Sequence, residues 1–137
     1  MKYCGAIFHY GIILLRWCGL KENKLVGLSM EFAVQLVKIC ENISGHRSMV
    51  NQLERAGTSI GANIHEANYA HSRADFIAKL QIALKECYET SYWLELMVKA
   101  EILNRDVAAS LYTQCGTLRG ILIASINTAK DGKKEHL

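Results

Sequence analysis

The chain has 137 residues, half of them hydrophobic, with no proline; that is one domain's length with apolar residues enough for a full core, and it suits long uninterrupted helices. Its formal net charge of +3 lies at the two ends, because between Ser29 and Lys130 ten Lys/Arg meet ten Asp/Glu. The body therefore lacks the basic excess that would by itself argue for nucleic-acid binding, although balance does not rule such binding out.

Residues 1–20 do not resemble the rest of the chain. An apolar run, Gly11-Ile12-Ile13-Leu14-Leu15, is preceded by Lys2 and His9 and closed by Arg16. As a signal peptide it is short and has no small-residue cleavage site. Cys18 stands where a lipoprotein cysteine would, but Trp17 is too large for the position before it. The run is also too short to span a bilayer. We expect an extension upstream of the natural start, which the mass of the native protein would test.

From residue 21 the pattern is four helices. The first is expected from about Glu22 to Ile43, with Leu25, Phe32, Leu36, Ile39 and Ile43 inward, and Ser44-Gly45 ends it with glycine in the capping role. The second is expected from about Arg47 to Ala70, with Leu53, Ala56, Ile60, Ile64 and Ala67 on one face. After the short His71-Ser72 connection, Ser72 and Asp75 form an approximate capping box. In the third helix Phe76, Leu80, Ala83, Cys87, Thr90, Leu94 and Met97 alternate spacings of four and three, a heptad seam. It ends near Glu101. Asn104 caps the fourth, where Val107, Leu111, Leu118, Leu122 and Ser125 continue to about Lys130, leaving residues 131–137 as a charged tail. Short connections between long helices imply an all-α, antiparallel up-down-up-down four-helix bundle over residues 21–130. The third helix carries Ile77, Ile82, Leu84, Tyr88, Tyr92, Trp93 and Leu96 off its seam, more apolar surface than one stripe needs, which implies a partner subunit.

Inside the second helix, Gly57-Thr58-Ser59-Ile60-Gly61 matches G-x-S-x-G, the nucleophile elbow of α/β-hydrolases. The elbow requires a strand before its serine and a suitably placed histidine and acid after it. The preceding residues 51–56 have no strand pattern. His65 and His71 follow too closely to fold back over Ser59, and His136 lies in the tail. The helical reading makes Gly57 and Gly61 a close-approach surface, since each glycine costs about 1 kcal/mol in a helix unless a neighbour's backbone comes near. Ser59 is then a small buried hydroxyl bonded within its helix or to that neighbour, and no catalytic residue is expected.

Gln52-Leu53 with Arg55, Thr58 through Ile64, Glu66-Ala67, then Ser72 through Phe76, Ile82 through Glu86, Glu89-Thr90 and Tyr92-Trp93-Leu94 resemble the second and third helices of the four-helix bundle proteins associated with 23S rRNA intervening sequences. The resemblance covers about residues 21–130; residues 1–20 have no counterpart in it. It implies a left-handed bundle assembled as a ring, in known cases a pentamer, with no established catalysis. Related proteins are nucleic-acid-binding accessory subunits of diversity-generating reverse transcriptases. The expected role is a cytoplasmic, non-enzymatic, homo-oligomeric module associated with RNA or ribonucleoprotein. The alternative is an assembly scaffold that binds a protein partner without nucleic acid.

Polar residues can serve either reading. Pairing across the His71-Ser72 connection places Arg55 opposite Glu86 and Glu89, and Asn63 opposite Leu80. A buried polar network of Arg55, Ser59, Asn63, Glu66, Glu86 and Glu89 is expected, fixing register or lining a subunit interface. Arg47, Arg55, Arg73, Lys79, Lys85 and Arg119 are the candidate nucleic-acid or partner contacts, with Tyr69 and Tyr92 as stacking surfaces. Repetition around a ring would give a modest patch avidity. A di-metal centre would need Glu-x-x-His on two helices, and that spacing is absent. The five cysteines (Cys4, Cys18, Cys40, Cys87 and Cys115) are odd in number and lack C-x-x-C, which suggests no disulfide framework or zinc site and fits a reducing cytoplasm. No cofactor, small-molecule substrate or membrane association is expected.

Overall fold

A computed structural model describes residues 22–131 of the protein. The expectations for residues 1–20 and for all of the tail beyond Asp131 lie outside the described residues. Four helices make up the described chain: α1 (Glu22–Glu41), α2 (Arg47–Ala67), α3 (Arg73–Lys99) and α4 (Arg105–Asp131). The main contacts run α1–α2, α2–α3, α3–α4 and α4–α1, closing an all-α helical bundle with no strand among the described residues. None of these helices is long and apolar enough to cross a membrane.

The caps follow from local chemistry. Ser72 Oγ accepts from the Asp75 amide (3.1 Å), and the Asp75 carboxylate accepts in return from the His71 amide (3.2 Å), so two N–H groups at the start of α3 are satisfied. Asn104 Oδ1 accepts from the Asp106 and Val107 amides (2.8 and 3.4 Å) at the start of α4. Gly45 has φ +74° and His46 follows it in the left-handed region at φ +49°, but α1 has already ended at Glu41, so the expected capping role of Gly45 is corrected: it belongs to the turn into α2.

Two helices stop earlier than the sequence suggests. α1 ends at Glu41 because the Asn42 and Ile43 amides turn back to the Ile39 and Cys40 carbonyls, three residues away. α2 ends at Ala67 for the same reason: the amides of Asn68, Tyr69 and Ala70 each bond three residues back, a tighter winding than the α-helix.

The core is built from one stripe per helix. All seven expected seam residues of α3 are buried, as are Leu53, Ala56, Ile60, Ile64 and Ala67 of α2. Two expectations are corrected. On α1, Ile39 is half-buried and Cys40 takes the core position, and Ile43 is half-buried beyond the end of the helix. On α4, Val107 is exposed and Ala108 is buried in its place, which starts an unbroken run through Leu111, Cys115, Leu118 and Leu122. The spacing of three and four from Ala108 onward sets the helix phase, and Val107 falls one residue outside it. The buried hydroxyls of Ser29, Thr90, Ser91 and Ser125 each donate to a carbonyl of their own helix at 2.7–3.0 Å. No buried side-chain nitrogen or oxygen among the described residues is left without a partner.

Candidate functional site

Gly57 to Gly61 lie in the middle of α2, whose helix is continuous, so Ser59 does not stand on a strand-to-helix turn. A Cβ on Gly57 would come within 1.9 Å of Leu36 Cδ2 and 3.5 Å of Phe32 Cε1 on α1. One on Gly61 would meet Ser29 Oγ at 3.4 Å and the Ser29 carbonyl at 3.6 Å. The glycines therefore mark the close approach of α2 to α1. Ser59 departs from expectation: it is half-buried, and the bond made there is to its carbonyl, which accepts from Asn63 Nδ2 at 2.8 Å.

Arg55 reaches across from α2 to α3. Its Nη1 lies 3.5 Å from Glu86 Oε2 and its Nη2 pairs with Glu89 Oε1, which also accepts from Trp93 Nε1 at 3.3 Å. The guanidinium bond holds the Glu89 carboxyl below its ordinary pKa, and the reciprocal bond raises Arg55. One end of the same seam carries Lys79 Nζ against Glu66 Oε2 at 2.5 Å. Arg55 thus meets Glu86 and Glu89, but none of Arg55, Ser59, Asn63, Glu66, Glu86 and Glu89 is buried in the single chain, against the expected buried network. They flank the core stripes of α2 and α3, so solvent reaches them from one side. Asn63 serves its own helix and does not bridge to α3.

The six candidate cationic contacts do not form one free patch. Arg47 is exposed at the first position of α2, and Lys85 is exposed on α3. Arg55 and Lys79 are paired as above. Arg73 is half-buried and donates Nε to the Ala129 carbonyl (2.5 Å), satisfying the end of α4. Arg119 lies 5.3 Å from the Tyr88 ring centre, a cation–π contact between α4 and α3. Beside it the outer face of α3 exposes Ile82, Tyr88 and Tyr92, and Tyr92 meets the Trp93 ring edge-on at 5.2 Å. Tyr69 is exposed and tilted against His65 at 5.4 Å. No cluster of three or more His, Cys, Asp or Glu suited to a metal occurs among the described residues.

Two cross-helix contacts have no signature in the sequence. Gln114 Nε2 donates to Gln35 Oε1 at 2.7 Å, linking α4 to α1. Cys115 Sγ on α4 donates to the Cys87 carbonyl on α3 at 3.3 Å. Both depend on the relative rotation of two helices, which residue spacing within one helix does not fix.

A family model described as 23S rRNA-intervening sequence protein matches residues 21–124. Among solved structures, the chain is similar to a protein of unknown function from the S23 ribosomal protein family of Bacteroides thetaiotaomicron VPI-5482. The two are 43% identical with a TM-score of 0.74, over 79% of this chain and 99% of that one. No curated protein matches.

Proposed function

Since the chain belongs to the 23S rRNA-intervening sequence protein family, we propose that it is a cytoplasmic, non-enzymatic, homo-oligomeric bundle that acts as an interaction module on RNA or ribonucleoprotein. The observation that carries this reading is the outer face of α3, where Ile82, Tyr88 and Tyr92 are 42%, 53% and 58% exposed and Lys85 and Arg119 supply positive charge nearby. Large apolar side chains left open next to cations suit a surface that is covered in use. The expected pentamer rests on the family resemblance.

In this reading the helices run up-down-up-down in a left-handed bundle. Antiparallel pairing is supported by the cross-links, since partners' numbers fall on one helix as they rise on the next. Arg55 meets Glu86 and Glu89 while Glu66 meets Lys79; Arg73 meets Ala129 while Cys87 meets Cys115. Three free buried cysteines, Cys40, Cys87 and Cys115, fit a reducing compartment.

The balanced charge of the body favours a second reading, a scaffold that binds protein without nucleic acid. Recovery of the protein from its host with and without nuclease separates the two. Co-purifying RNA that disappears with nuclease, and binding that weakens steeply with salt, are expected for the first. A protein partner that stays bound after nuclease treatment, with no recovered RNA, would replace it with the second.

A further inference from the structure

A groove of about 420 Å³ runs between α1 and α2. Its walls include Val26, Met30 and Ala33 of α1 and Gly61 and Ala62 of α2. Gly61 brings α2 close to Ser29, and neither Gly61 nor Ala62 has a side chain long enough to reach over α1. Met30 is left 61% exposed. Val26, Met30, Ala33 and the half-buried Val37 are spaced four, three and four, a second apolar stripe on α1 beside its core stripe.

In the chain that begins at Met1, the residues before α1 carry a matching pattern. Tyr3, Ile7, Tyr10, Leu14 and Trp17 are spaced four, three, four and three. On a helix they would form one seam, and the basic residues Lys2, His9 and Arg16, seven apart, would fall on one line away from it. Reflected about residue 20, Leu14, Tyr10, Ile7 and Tyr3 fall on Val26, Met30, Ala33 and Val37. A helix over residues 3–17 is about 22 Å long and the α1 stripe about 17 Å, so one can cover the other from end to end. Cys18 to Lys21 remain as a link that contains Gly19 and has the length of a helical-hairpin turn.

We propose that residues 3–17 fold as a helix that lies antiparallel to α1 and fills the α1–α2 groove of the same chain. The tether selects this occupant. A link so short gives an effective concentration on the order of millimolar, which neither a second copy nor another protein has. The segment also needs the groove in order to become helical. A helix of this length is marginal by itself in water, and Gly5 and Gly11 each cost it about 1 kcal/mol more. Seated on α1, it buries its apolar seam and leaves Lys2, His9 and Arg16 in solvent. This cover is independent of what the α3 face meets.

The test is amide hydrogen exchange on the full-length protein, read by mass spectrometry. Amides within residues 3–17 should exchange at least about tenfold more slowly than those of an unstructured chain. Met30→Glu, at a side chain outside the core, should return them to the unstructured rate while the α3 amides keep their protection. Ala62→Glu, exposed on the α2 wall, should do the same, and it decides the matter if Met30→Glu unfolds the bundle. Tyr92→Glu on the α3 face should leave the protection of residues 3–17 unchanged, which separates this cover from an assembly through that face. Exchange of residues 3–17 at the unstructured rate in the wild type would overturn the proposal, as would protection that persists in both groove variants. Protection that falls on dilution would give the groove to a second copy. Protection gained only with phosphatidylglycerol vesicles would give the segment to a membrane surface, and either result overturns the proposal.

Discussion

A methyl group on Gly57 would land on Leu36, a side chain with no exposure in the core between α1 and α2. Gly57→Ala gains about 1 kcal/mol of helix propensity but overpacks the α1–α2 contact, which costs about 1–3 kcal/mol. The expected net effect is destabilisation by about 1 kcal/mol, read as a lower urea midpoint. Gly61→Ala places its Cβ at ordinary contact distance from Ser29 and should be neutral or stabilising by up to about 1 kcal/mol. Equal effects at the two positions would remove the distinction. The Arg55–Glu89 pair gives a second residue-scale prediction. Glu89 has its pKa depressed in the folded chain, chiefly by the Arg55 bond, so its contribution is present above the unfolded carboxylate value of about 4.3 and is lost as pH falls through the depressed folded value. Arg55 is 48% exposed at its side chain, which limits the pair to a few tenths of a kcal/mol. Denaturant midpoints at pH 7 and pH 3 should therefore converge slightly in Glu89→Gln relative to wild type.

At the scale of elements, α3 carries the clearest information. Its seam spacing identifies seven of its eight buried positions, Ser91 being the one it misses, and Ser72 with Asp75 fixes its start. Ser72→Ala should cost about 1 kcal/mol, measured by chemical denaturation. The α3–α4 connection holds Glu101 at φ +59°, a left-handed conformation in which a Cβ is strained. Glu101→Gly should therefore raise stability by about 0.5–1 kcal/mol, and a loss would mean that its side chain has a role in the turn. α4 is harder to read because Val107 and Ala108 are both apolar and the larger one is outside. Only the chain of small and medium residues from Ala108 to Leu122 sets its rotation. The Arg55 pairings are legible from chain geometry, since a short connection ties residue numbers on α2 to those on α3. Their exposure is not, because periodicity gives the face of a helix and not how deeply its margin is covered. Arg73 on the Ala129 carbonyl is invisible in the sequence for a related reason: it depends on where α4 ends relative to α3, and no residue type encodes that.

For the whole molecule, the apolar surface outside the core decides what should be measured. Met30 and Val34 on α1, Ile82, Tyr88 and Tyr92 on α3, and Tyr112 and Ile123 on α4 are all more than a third exposed in the single chain. Such residues scattered singly are ordinary, but three of them share the α3 face, and Tyr92 also packs on Trp93. Covering that face with a second copy would bury two aromatic rings that are 53% and 58% exposed in the single chain. Tyr92→Glu would place a charge where a second copy would have to sit while leaving the core untouched, so melting of the isolated chain should hardly change. Native mass spectrometry of the wild type should give an integer multiple of the 15.3 kDa chain, and Tyr92→Glu should shift it toward the single chain. A wild type that runs as one chain at micromolar concentration would remove the homo-oligomer, and with it the avidity on which a charge-balanced body would depend to hold RNA. An assembly that survives Tyr92→Glu intact would instead move the interface off α3, to the Met30 and Val34 side of α1, where the same substitution logic applies.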